Sequence, residues 1–251
     1  MDYAGPANLS ASQLKRGVGE PPHRGFETVT IVYEGEVEYR DSSGGGGKIG
    51  KGDVQWMTAA SGIVHEEFHG TEYAKRGGTF EMIQLWVNLP KKHKLGPAGY
   101  QSISKEEIPI IELPKGEGLI RVIAREYSGD YKSVKGPART FSPMNVWDLR
   151  LKAGSHIELQ APGGWTTSFF ALKGRIRLNG GEVVSAAELA VFEREGDMLS
   201  LEAVKDATLL FLSGETLSEP IVGYGPFVMN TVAEIRQAFM DYQNGKMGHL
   251  T

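Results

Sequence analysis

The sequence predicts an all-β protein in which many short strands form a sandwich or a barrel. Short runs rich in β-branched and aromatic residues recur along the 251-residue chain, and its 33 glycines separate many of them. In the first third of the chain, these runs are residues 28–32, 36–39, 54–57 and 80–87. Strands of this length, separated by turn residues, are typical of antiparallel β architectures.

A second set of β-rich runs predicts that the chain contains two related units. Residues 88–118 carry four prolines and several charges, a composition that suits a linker between β units. Beyond it, β-rich runs resume at residues 147–151, 156–159, 167–172, 175–178, 189–192 and 209–212. The same arrangement of strand, glycine and alternating strand occurs at 33–38 and 172–177, which indicates an internal repeat.

The end of the chain predicts a helix over residues 232–244. Thr231 and Glu234 have the spacing of a capping box, and apolar residues follow at helical intervals. Asn244 and Gly245 supply the stop signal.

Composition excludes several classes of function. The formal net charge is -4, so the chain lacks the basic surface that drives direct binding to nucleic acid. The chain has no cysteine, which excludes disulfides and thiolate ligands. No run approaches the roughly 20 apolar residues that span a bilayer. We therefore expect a cytoplasmic protein with no direct nucleic-acid or membrane partner.

Histidines and carboxylates lie at alternate positions of two predicted strands. His23 shares the parity of Glu27, and His65 shares that of Glu67, so each pair is expected on one strand face. Two imidazoles with a carboxylate suit non-haem iron, manganese, nickel or zinc. Any one of these residues alone is more simply a surface or turn residue, but the apolar runs beside them make unpaired ionisable groups costly. Pro21 stands where a His-x-His pair would have its first histidine.

Several long motifs, in order, resemble the pirin family of the cupin superfamily. They are residues 22–30 (PHRGFETVT), 52–59 (GDVQWMTA), 62–67 (GIVHEE), 84–89 (QLWVNL) and 225–231 (GPFVMNT). The resemblance implies a bicupin with a metal-bearing N-terminal barrel over residues 1–90. Residues 91–140 are expected to form the connection and the start of the second unit, and residues 141–251 the C-terminal barrel, which includes the helix over 232–244. Family members carry a strand-forming segment before the equivalent of Asp2. Either the start of the chain is wrongly assigned or trimmed, or the first barrel lacks a strand and has an unpaired edge.

The resemblance also implies the metal ligands. His23 matches the second member of the family's His-x-His pair, and His65 and Glu67 match its His-x-Glu pair. The first histidine falls on Pro21, which cannot coordinate a metal. We expect one divalent metal, Fe(II) first and Mn, Ni, Co or Zn as alternatives, at reduced occupancy unless Glu27 replaces the missing ligand. The second barrel offers only His156 and is expected to bind no metal.

Two functions follow from the resemblance. Some bacterial members open the flavonol quercetin with dioxygen, which predicts a flavonol-like substrate, Glu67 or Glu27 as the base, and contacts from Gln55, Met57 and Gln84. Eukaryotic pirin is a nuclear cofactor of transcription factors. The alternative is therefore a regulatory module with a protein partner, whose metal is structural, redox-sensing or lost. We favour the enzyme.

Overall fold

The computed structural model describes residues 1–129 and 132–250, and antiparallel strands dominate it. The chain divides into two compact units. The first consists of Met1–Lys105 together with Ser218–Thr251, and the second of Glu106–Leu217. This confirms the predicted all-β fold.

The first unit begins with a series of strands and returns to them at the end of the chain. Its early strands are β1 (Asp2–Leu9), β2 (Gly17–Val18), β3 (Pro22–His23), β4 (Phe26–Glu34), β5 (Glu36–Asp41), β6 (Gly46–Gly50), β7 (Val54–Thr58), β8 (Ile63–His69), β9 (Gly78–Asn88) and β10 (Gly99–Ile103). Helix α1 (Thr71–Arg76) joins β8 to β9, and a 3-10 turn covers Lys91–His93.

Two sheets of the first unit enclose its interior. One has the strand order β1-β9-β4-β7-β10, and the other has the order β2-β8-β5-β6, with β3 also paired to β8. Apolar side chains from both sheets meet in one cluster, formed by Val32, Val37, Tyr39, Ile49, Tyr73 and Phe80. Strand β1 forms one edge of the first sheet, where it pairs with β9.

The second unit has its own sheet and its own apolar core. Its strands are β11 (Ile110–Glu112), β12 (Gly118–Ala124), β13 (Glu126–Gly129), β14 (Lys132–Lys135), β15 (Met144–Leu151), β16 (His156–Gln160), β17 (Thr166–Leu178), β18 (Val183–Ser185), β19 (Glu188–Val191) and β20 (Met198–Gly214); a 3-10 turn covers Pro114–Gly116. The main order is β11-β12-β15-β20-β17-β18, and its core includes Trp147, Phe169 and Phe211. The predicted runs 167–172 and 175–178 form the single strand β17, because the long strand β20 pairs with both parts.

The structure groups the chain differently from the predicted boundaries at 90 and 141. Within the predicted connection, β10 pairs with β7 and so belongs to the first unit. After β20, the chain leaves the second unit to form β21 (Val222–Tyr224), β22 (Phe227–Met229) and α2 (Val232–Gln243). These elements belong to the first unit, because their apolar residues cluster around Val64 of β8. Proline content indicated a linker but did not reveal the short strands between the prolines.

Helix α2 begins with the predicted capping box. The Thr231 hydroxyl accepts a hydrogen bond from the Glu234 backbone N–H at 3.2 Å, and it donates to the Glu234 carboxylate at 2.9 Å. Ile235 and Ala238 are buried on the inner face of the helix. Within the described residues, neither α2 nor any other helix has the length and hydropathy needed to cross a membrane.

We predict that Thr231→Ala lowers the free energy of unfolding by about 1 kcal/mol, because the first turn of α2 loses its side-chain cap. Urea unfolding followed by circular dichroism measures the loss. Thr231→Ser keeps the hydroxyl and should retain most of the stability. Equal stability of the alanine variant and the natural protein would contradict this role of the cap.

Candidate metal centre

The two predicted histidine ligands lie side by side inside the first unit. His23 ends the two-residue strand β3, which pairs with β8, and His65 lies in β8 itself. Their ring centroids are 4.8 Å apart, and both side chains are buried. Strand pairing thus brings together two residues that are 42 positions apart in the sequence.

Both imidazoles have the protonation state that a metal ligand needs. Burial lowers the pKa of His23 to about 4. Burial, together with the neighbouring His23, lowers the pKa of His65 to about 3. The rings are therefore neutral at pH 7. His23 Nδ1 lies 3.4 Å from the carbonyl oxygen of Pro226, which can only accept, so the contact keeps the proton on Nδ1 and leaves Nε2 free to bind a metal.

Glu67 lies two residues after His65 and on the same face of β8. Its Oε2 accepts a hydrogen bond of 2.6 Å from the Gln84 amide, which also donates to the Thr30 hydroxyl at 3.1 Å. The other oxygen, Oε1, is buried without a hydrogen-bond partner. Burial raises the pKa of Glu67 above its usual range.

The donor chemistry of these residues fits a divalent metal. His65 Nδ1 and Glu67 Oε1 are buried and unpaired, and buried polar atoms normally have a partner. Within residues 1–129 and 132–250, however, no three His, Asp or Glu side chains already form a group that could hold a metal. The two imidazoles are adjacent, and Gln84 holds the carboxylate. Completing a three-ligand site therefore requires side-chain adjustment around Glu67.

Pro21 lies next to the histidines, but its side chain has no atom that can coordinate a metal. Its carbonyl oxygen accepts a hydrogen bond of 3.3 Å from the backbone N–H of His65. Position 21 is therefore close enough to the candidate ligands for a longer side chain to reach them.

Glu27 does not share the face of His23, contrary to the expectation from sequence parity. Gly25 has φ +85° between β3 and β4, and this turn interrupts the alternation on which the expectation depended. The Phe26 ring contacts His23, with centroids 5.1 Å apart, so Glu27 lies on the opposite face of β4. There its carboxylate accepts a hydrogen bond of 2.7 Å from the Thr58 hydroxyl. Glu27 is thus not placed to replace the missing ligand.

The predicted pocket contacts and two further aromatic residues lie on the inner face of the first sheet. Both polar side-chain atoms of the buried Gln55 lack partners. The Tyr100 hydroxyl lies 3.0 Å from the Met57 sulfur, and burial, with Asp41 and Glu67 nearby, raises the pKa of Tyr100 above its usual range. Tyr100 was not among the predicted contacts, because it lies in the proline-rich stretch interpreted as a linker.

Trp86 was also missed, although it alternates with the predicted contact Gln84 on β9. Its ring lies against Phe26 and His23, at centroid distances of 4.3 and 5.4 Å. Even so, 43% of the residue is exposed, which leaves part of this large aromatic surface open beside a candidate ligand. Alternation along β9 was the signal that could have identified it.

His156 of the second unit has different surroundings. It is exposed on β16, and its Nε2 lies 3.1 Å from the Ser200 hydroxyl.

Comparisons with known proteins give the family. The Pirin family profile matches residues 1–87, and the profile named Pirin C-terminal cupin domain matches residues 146–248. The chain belongs to the pirin family. This confirms the resemblance noted from the motifs, and it confirms the bicupin architecture.

Two pirin-family relatives carry names that refer to quercetin cleavage. A Pseudomonas aeruginosa protein, provisionally named as a quercetin 2,3-dioxygenase, is 54% identical over 98% of this chain and 84% of its own length. A crystal structure named quercetin 2,3-dioxygenase from Acinetobacter baumannii is 51% identical, with a TM-score of 0.94 over 99% of this chain and 85% of that chain. A bacterial pirin from Escherichia coli in complex with nickel(II) shares the fold, at 20% identity and a TM-score of 0.63 over 82% of this chain and 79% of that chain.

We predict that Glu27→Gln leaves metal affinity unchanged and stabilises the protein at pH 8. Burial raises the pKa of Glu27 from 4.5 to about 6, so the folded state binds more protons than the unfolded state between these values. The free energy of unfolding therefore falls as pH rises through this range. Glutamine does not titrate, so the Glu27→Gln variant avoids that loss. Its free energy of unfolding should exceed that of the natural protein by about 1–2 kcal/mol at pH 8 and by less at pH 5.

Denaturant unfolding at the two pH values and a competition titration with a chelator measure these quantities. A lower metal affinity in Glu27→Gln would instead place Glu27 among the ligands.

Proposed function

We propose that this pirin-family protein is a metal-dependent dioxygenase that acts on a flavonol-like substrate. The observation that carries the proposal is the pair of neutral, adjacent imidazoles, together with an unpaired, buried carboxylate oxygen on the strand face of His65. The quercetin dioxygenase names of the Pseudomonas and Acinetobacter relatives support the substrate class.

The residues proposed to hold the metal are His23, through Nε2, together with His65 and Glu67. Fe(II) is the first candidate, and Mn, Ni, Co and Zn suit the same donors. The nickel(II) of the Escherichia coli pirin is a reason to include nickel in every assay. A metal held there supplies a Lewis acid that acidifies the hydroxyl of the substrate.

Glu67 is proposed as the base that takes the hydroxyl proton of the substrate. Its Oε1 has no hydrogen-bond partner and is the oxygen free to bind the metal, so the proton would go to Oε2, in place of the Gln84 hydrogen bond. Burial raises its pKa, which brings its proton affinity closer to that needed for transfer near neutral pH. The amide of Gln84 holds Oε2 and fixes the orientation of the carboxylate.

Trp86 and Gln55 supply what a flat, hydroxylated aromatic ligand needs. The open face of Trp86 offers a surface for stacking an aromatic ring, which is worth about 0.5–1.5 kcal/mol beyond the area it buries. The unpaired amide of Gln55 can both donate to and accept from a hydroxyl or carbonyl group. An apolar platform with a neutral polar partner thus fits a flavonol better than it fits a charged metabolite.

The decisive experiment combines metal analysis with a cleavage assay. Protein loaded anaerobically with Fe(II), Mn(II), Ni(II) or Co(II) is expected to bind about one metal per chain or less, and at least one form should consume quercetin with oxygen uptake. We predict that Glu67→Gln lowers kcat at least ~100-fold, since it removes both the base and one of the three proposed metal ligands. Glu66→Gln is the matched control, because the neighbouring side chain lies on the opposite face of β8 and pairs with Arg40.

Two results would contradict the proposal. One is the absence of bound metal even after anaerobic Fe(II) loading, and the other is full activity of Glu67→Gln. Metal binding without turnover by any loaded form would instead favour the non-enzymatic module with a protein partner.

A second prediction concerns the missing ligand. Pro21→His should tighten metal binding at least ~10-fold, because position 21 lies beside His65 and an added imidazole would supply a further donor. Pro22→His is the matched control, since adjacent strand residues face opposite sides. Chelator competition measures both affinities, and equal values for the two variants would show that position 21 cannot reach the metal.

A further inference from the structure

The position of His23 depends on contacts beyond its own strand. Strand β3 has only two residues, so pairing with β8 alone gives little restraint. The next two residues, Arg24 and Gly25, are held by side chains and backbone groups from distant parts of the first unit. Two of these groups, the Asp241 carboxylate and the Val228 backbone N–H, belong to residues 218–250, here called the C-terminal segment.

Arg24 joins the His23 turn to helix α2. Its guanidinium donates to the Asp241 carboxylate at 2.8 Å and to the Ser61 carbonyl at 2.6 Å. Both members of this ion pair are largely buried, and the carbonyl of Arg24 accepts a hydrogen bond of 3.0 Å from Val228. A buried ion pair is costly to break on one side only, because the remaining charge is left without its partner.

Lys94 joins the same turn to β22. The residue is only 1% exposed, and its ammonium donates to the carbonyls of Gly25 and Val228 at 2.6 and 2.8 Å and to the Asn88 side-chain oxygen at 2.5 Å. All three donors of the ammonium are thereby used. The buried charge thus ties three separate stretches of backbone together.

The approach of the two backbones is close enough to require glycine. A Cβ atom at position 25 would lie 2.0 Å from the carbonyl oxygen of Val228. The same stretch of the C-terminal segment supplies the Pro226 carbonyl that contacts His23 Nδ1. The segment therefore contacts the His23 imidazole as well as the backbone that carries it.

We propose that the C-terminal segment, together with Lys94, is the positioning element for His23: it fixes the location and the tautomer of an imidazole meant to bind a metal. The metal-binding part of this inference rests on the proposed function, whereas the tautomer does not. Restraint of His23 matters more here than in a four-ligand site, because Pro21 supplies no donor. Outer contacts of this kind typically change metal affinity by about 10- to 100-fold.

The test compares Lys94→Met and Asp241→Asn with Thr231→Ala. The first two remove a charge that holds residues 24 and 25, while the third loosens the start of α2 without touching the His23 turn. Two readouts are measured: Ni(II) affinity by chelator competition, and the 15N chemical shifts of the His23 ring in metal-free protein, assigned with His23→Gln.

We expect the two charge variants to bind Ni(II) at least ~10-fold more weakly and to lose the single Nδ1–H tautomer of His23. Thr231→Ala should keep both readouts, because it weakens α2 away from the contacts to residues 24 and 25. Asp241→Asn preserves size and decides the question if Lys94→Met does not fold.

Unchanged tautomer and affinity in a folded charge variant would overturn the proposal and leave these contacts a purely structural role. If the charge variants lose the Nδ1–H tautomer of His23 but the natural protein binds no metal, the positioning role stands. Only the proposed function is then contradicted.

Discussion

Burial of ionisable groups between two sheets is the constraint on which the candidate site depends. His23, His65 and Glu67 lie in the interior of the first unit, and the loss of water keeps both imidazoles neutral and raises the pKa of the carboxyl group. Such groups persist in a folded interior only when nearby atoms compensate for the missing water. Gln84 and the Pro226 carbonyl do so in part, and the remaining unpaired atoms are those that a ligand can use.

The course of the backbone decides which of these groups can act together. The turn at Gly25 separates the alternation of β3 from that of β4, so Phe26 meets His23 while Glu27 meets Thr58 on the other face. Two glutamates that look equivalent in the sequence thus have different surroundings. Glu67 has an unpaired oxygen on the strand face of His65, whereas Glu27 accepts a hydrogen bond from Thr58 on the other face of β4.

The return of the chain to the first unit explains how the two-residue strand β3 can hold His23 in place. Elements β21, β22 and α2 pack around Val64, and their polar groups bind the residues that follow His23. A contact between Arg24 and Asp241 spans 217 positions of the sequence. The site is therefore assembled from both ends of the chain.

The sequence by itself determined the all-β class, the positions of several strands, the capped helix and the family, because these depend on short-range periodicity and on contiguous motifs. It also led to the prediction of His23, His65 and Glu67 as metal ligands, with Pro21 in place of a fourth. Only the tertiary structure decided the face of Glu27, the place of Tyr100 beside Met57, and the unit to which α2 belongs. A single positive φ angle reverses strand parity, and pairing between distant segments follows from packing that no local pattern encodes.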